Sequence, residues 1–111
     1  MTEISDDDAA QVDVAAMLAE GLDDGTGELR GELVGEGALA AAVQLERDGV
    51  PVDAVALALT QVRSRDMGID LDPGDLPPRL AGWLAASPGD KQLAEWLGLV
   101  ANLMMLRGRY A

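Results

Sequence analysis

The amino-acid sequence predicts an all-α fold, a compact bundle of about five short helices, and three observations carry that expectation. Apolar residues make up 49% of the 111-residue chain, yet it has no Phe, two Trp, one Tyr and only two Ile. Its core must be built mainly from Ala, Leu and Val, a supply that favours helix over sheet. Apolar residues also recur at spacings of three and four, and no run shows the period of two expected of a half-buried strand. Finally, Gly and Pro clusters interrupt these runs at intervals suited to the short loops of a helical bundle. The length fits one domain over 1–111, with 1–5 expected as a disordered tail.

Ser5 and Asp8 form a capping box at the start of the first helix, where Asp6 and Asp7 suit the positive end of the helix dipole. Ala10, Val14, Leu18 and Leu22 recur every four residues with Met17 beside them, predicting an amphipathic helix over about 6–22. "DDGTG" (23–27) ends it. The next stretch, "GELRGELVGEG", repeats with a period of four. Gly27, Gly31 and Gly35 share one register, and Glu28, Glu32 and Glu36 form an acidic face in the next. An interior Gly costs about 0.5–1 kcal/mol relative to Ala, and like charges at i,i+4 repel by a few tenths. Such a segment cannot hold itself helical. Either a neighbour packs on a glycine ridge continued by Ala38 and Ala42, or 23–37 is a mobile connector. From Ala38 to Asp48 the helix is secure, with Gly49 as its stop.

Pro51 opens a third helix whose expected buried stripe is Val52, Val55, Ala56, Leu59 and Val62, and Gly68 ends it. "GIDLDPGDLPP" (68–78) reads as a connector. A short fourth helix follows Pro77 with Leu80, Trp83 and Leu84 on one face. Ser87, Pro88 and Asp90 cap the fifth, expected over about 88–107. At 100° per residue it carries two stripes. Leu93, Leu97, Val100 and Met104 form one; Leu99, Leu103, Leu106 and Tyr110 form another that runs past Gly108, with Trp96 between them. Its remaining face offers Ala94, Gly98, Ala101 and Met105 among polar residues. So apolar a helix is central to a core or shared with a partner. The shared reading makes Trp96, Leu99, Leu103, Leu106 and Tyr110 the candidate interface.

Charge narrows the function. The net charge is −12. Residues 1–54 hold 14 acids against Arg30 and Arg47, whereas 55–111 hold six acids and six bases. The excess therefore belongs to the first half. Such a field disfavours nucleic acid and anionic membranes and suits a basic partner, although solubility or a salt-adapted host explains it more simply. With no Cys and no His, disulfides, zinc sites, thiol nucleophiles and imidazole catalysis are excluded. The acidic start does not resemble a signal peptide. The uncharged run from Trp96 to Leu106 is well short of the roughly 20 residues of a membrane span, so a cytoplasmic protein is expected.

Motif tests give little chemistry. Asp66, Asp70, Asp72 and Asp75 cluster in a Gly/Pro loop as hard oxygen donors, making Asp70, Asp72 and Asp75 weak metal candidates. Laid on the EF-hand template from Asp70, the loop matches further only at Asp72; Gly74, Asp75 and Ala81 miss. A solvated turn is the better reading. "ERDGVPVDAVALALTQVRSR" has helix-turn-helix proportions, but Asp53 and apolar residues stand where base-reading side chains belong. "GTGELRG" lacks the G-K-[ST] of a phosphate loop. The sequence thus predicts a non-enzymatic, acidic interaction module without cofactor or metal. It is expected to bind a protein partner, which suits a basic one, and to form a homodimer or larger assembly through its last helix. The alternatives are a carboxylate-rich metal-binding protein or metal-dependent hydrolase, and an acidic nucleic-acid mimic that occupies a basic groove.

Overall fold

The structure is a computed structural model that describes residues 11–20, 31–69, 76–86 and 90–110, with side chains other than those of 20, 31–36, 90, 109 and 110. It contains α1 (Val14–Glu20), α2 (Gly31–Arg47), α3 (Val52–Asp66), α4 (Pro78–Ala86) and α5 (Asp90–Tyr110). The fold is all-α, with no strand among the described residues.

The expected single helix over 6–22 is corrected. The chain turns at Gln11 and Val12, and Asp13 caps a shorter helix: its Oδ1 accepts from the Ala16 N–H at 3.1 Å. An Asp at the N-cap satisfies one of the first-turn donors that lack an intrahelical acceptor. The capping box at Ser5 and Asp8, the tail 1–5 and the stop at 23–27 lie outside the described residues. Val14 and Leu18, four apart, are 1% and 0% exposed.

Of 23–37, residues 31–37 are described and helical, so α2 includes seven residues before the secure start expected at Ala38. At Gly37, outside the 27/31/35 register, a neighbour approaches closely. A Cβ there would overlap the Met17 thioether and stand 3.6 Å from Trp96 Nε1. The side-chain surroundings of Gly31 and Gly35 lie outside the described residues. Beyond Gly37, Ala38, Ala40, Ala41, Ala42, Val43 and Leu45 are all buried, which requires neighbours on several sides of this stretch.

Two helix ends share a geometry. At Gly49 (φ +75°), Val50 N–H donates to Leu45 C=O at 2.9 Å and Gly49 N–H to Glu46 C=O at 3.1 Å. At Gly68 (φ +83°), Ile69 N–H donates to Ser64 C=O at 2.8 Å and Gly68 N–H to Arg65 C=O at 3.0 Å. Both are Schellman motifs, in which glycine takes the left-handed position without a Cβ clash. Gly108, expected to stop the last helix, remains helical within α5. An apolar residue follows each of the other two glycines, as the motif favours; Arg109 follows Gly108.

The stripe of α3 is rotated from expectation. Val55, Ala58 and Val62 are buried along with Gln61, while Val52 and Leu59 are half-buried and Ala56 is exposed. Val55 and Val62 are common to the expected and observed stripes; the rest differs because α3 is moderately apolar on several sides. Pro51 is the N-cap (φ −77°, ψ 159°). On α4, Leu80, Trp83 and Leu84 are buried as their spacing predicts.

Helix α5 packs against α3 and α2, while α1 lies on α4 and α2, and α4 also touches α3. Trp83 and Trp96 meet edge to face, with ring centroids 5.7 Å apart and planes at 74°. The Cα radius of gyration is 13.3 Å, close to the roughly 13 Å of a folded 100-residue domain.

Candidate functional site

Two features of the described residues bear on function: the edge of α5, and a polar clasp joining α1, α2 and α4.

On α5, Leu93, Leu97 and Val100 are fully buried and Met104 is 8% exposed, so this stripe is the core seam. Trp96, expected at the interface, is fully buried and therefore belongs to the core. It lies on the flank of the core stripe, where its ring meets Trp83. Leu99 and Leu103 are half-buried and pack against the core. Leu106 is 48% exposed and Met105 53%. The second stripe thus runs from core edge to surface along the helix. Tyr110 ends α5, and its side chain lies outside the described residues. The large apolar side chains exposed among the described residues are Leu57, Met67, Ile69, Met105 and Leu106. All belong to the charge-balanced half.

The clasp is built on Gln44, the one polar residue within "ALAAAVQL". Its side chain is buried, and its Nε2 donates to the Val12 carbonyl at 2.6 Å. Its Oε1 accepts from Arg79 Nη1 at 3.1 Å. Arg79 also donates to Asp48 through Nε and, at 3.3 Å, through Nη2. That hydrogen bond holds the Asp48 carboxyl below the usual carboxylate range; desolvation opposes it and the guanidinium charge reinforces it. The same hydrogen bond raises Arg79, again against desolvation and with help from the Asp48 charge. Asp48, Arg79, Ala15, Pro78, Gly82 and Trp83 line an open cleft of about 480 Å³. It is the seam between α1 and α4. A second ion pair closes the ends of α2 and α5, where Arg107 Nε donates to both Glu46 carboxylate oxygens at 3.0 Å.

Asp13, Gln44, Asp48 and Arg79 escaped the sequence reading. Gln44 had left a signal, because a lone polar residue in an apolar helix needs a partner when buried. Nothing in the local sequence pairs Asp48 with Arg79, 31 positions away.

The chemistry available is modest. Among the described residues no group of three or more acidic side chains could hold a metal ion. The candidates Asp70, Asp72 and Asp75 lie outside those residues, as does Glu28; Glu32 and Glu36 lie on α2 with undescribed side chains. The Thr60 hydroxyl donates to Ala56 C=O, 3.0 Å away in its own helix. No described helix is long and apolar enough to cross a membrane. Comparison with protein-family models, with curated proteins and with solved structures returned no match.

Proposed function

We propose that the protein is a small acidic interaction module that pairs with a second copy of itself through the exposed edge of α5. The observation that carries this reading is an apolar stripe on α5 that runs out of the core to the surface. Leu106 stands exposed at the end of the stripe that carries half-buried Leu99 and Leu103, in the half of the chain whose formal charges cancel. Two identical chains, each at −12, repel wherever their acidic halves approach. A contact through apolar side chains of the charge-balanced half adds no net charge of its own and removes those side chains from water. It also leaves the acidic half free for a basic partner. The non-catalytic character of the module rests on the chain having neither His nor Cys.

Light scattering of the intact chain tests this reading. The wild type is expected at twice the chain mass at high concentration. Leu106→Asp should halve that mass and leave the helical circular dichroism unchanged, because position 106 becomes solvated once the partner leaves. A wild type that stays monomeric at high concentration overturns the assignment.

A further inference from the structure

We propose that α1 is a detachable strap, which opens from α2 and α4 as a unit while the α2–α3–α5 core stays folded. Its hold is narrow. Val14 and Leu18 are its fully buried side chains, and Met17 is half-buried. Seven residues make about two turns, too few to remain helical without a seat to pack on.

The seat contains a polar defect. Trp96 Nε1 is buried and has no hydrogen-bond partner among the described residues. It lies 3.6 Å from where a Gly37 Cβ would stand, the place crowded by the Met17 thioether. A buried donor with no acceptor among the described residues favours a state that readmits water. Lifting α1 withdraws Met17 and opens that route. The closed strap is therefore opposed by the very residue it helps to cover.

Gln44 is the latch. Its amide donates to the Val12 carbonyl just before α1. Arg79, held by Asp48, donates to the opposite end of the same amide and so orients it. Helix α4 thus steadies the latch and also forms part of the seat. Opening would widen the cleft between α1 and α4, whose lining includes Ala15 and Trp83.

Native-state hydrogen exchange on the intact chain tests the strap. The amides of Met17 and Leu18 should be at least about 100-fold less protected than those of Leu97 and Val100, with little dependence on low denaturant. Gln44→Met should lower α1 protection roughly tenfold further, because the hydrogen bond to the Val12 carbonyl is lost, and leave Leu97 and Val100 unchanged. Equal protection of α1 and α5 in the wild type overturns the proposal. So does a Gln44→Met variant in which both fall together.

Discussion

Helices α5 and α1 each bury a helical-period stripe against two neighbours, but they differ in how many side chains that stripe contains. α5 spans 21 residues and packs on both α2 and α3, with Leu93, Trp96, Leu97 and Val100 fully buried. α1 spans seven and buries Val14 and Leu18. The buried stripe of α5 extends along several turns, whereas that of α1 is two residues long and its place depends on one well-fitted contact. The glycines show the same contrast. Gly37 leaves room for Met17, whereas a Cβ on Gly98 of α5 would meet nothing within 4 Å. One glycine is needed for packing and the other is not.

The largest effect should come from breaking the α5 seam. Val100→Asp places an unpaired charge at a fully buried position, and a loss of more than about 3 kcal/mol is expected, enough to unfold a marginally stable domain. Circular dichroism at 25 °C reads this. A folded variant would mean that water reaches the α5 seam.

A smaller effect should follow from crowding the seat of α1. Gly37→Leu forces Met17 aside and is expected to cost about 1–3 kcal/mol in urea unfolding through overpacking. Gly37→Ala should be nearly neutral, because the displaced atoms are the flexible end of Met17 and alanine is the better helix former. If Gly37→Leu were silent, Met17 would not be packed there and the contrast between the two glycines would disappear.

Gly98→Ala should act in the opposite direction. With open space around the new methyl, it should stabilise by about 0.5–1 kcal/mol and raise the melting temperature by roughly 2–8 °C. Destabilisation would place an unseen neighbour against this face of α5.

The smallest effect belongs to the clasp. Asp48 has a lowered pKa in the folded state. Its contribution is therefore present above the ordinary carboxylate range near 4 and is lost as pH falls through the lowered folded value. The paired side chains are 36% and 39% exposed, so solvent screening limits the gain to below about 1 kcal/mol. Asp48→Asn should cost that amount at pH 6 and nothing once the pH is below the folded value. An equal cost at both pH values would assign the loss to geometry and not to charge.

Much of the fold was legible because it depends on local periodicity and punctuation. Leu80, Trp83 and Leu84 on α4, and Leu93, Leu97, Val100 and Met104 on α5, lie on buried faces that spacing alone predicts. Gly49 and Gly68 mark real helix ends. The misreadings came where two local signals compete. Gln11–Asp13 broke the expected 6–22 helix because Asp13 is a cap as well as a polar helix residue. On α3, Ala58 and not Ala56 joins the buried face, because alanines at every second position from 54 to 58 leave the choice of face ambiguous. Gly108 satisfied the glycine rule but not the apolar follower that helps a helix turn back.

The sequence by itself determined the all-α class, most of the helices, the asymmetric charge and the absence of imidazole and thiol chemistry. These follow from composition and from contacts no more than about four residues apart. Only the tertiary structure decided that Gly37 is packed against, that Trp96 belongs to the core, and that Val12, Gln44, Asp48 and Arg79 form one clasp. Those outcomes depend on groups some 30 positions apart meeting on helices whose rotation and crossing are set by the whole core. A helix wheel records which residues share a face; it carries no information about what that face will meet.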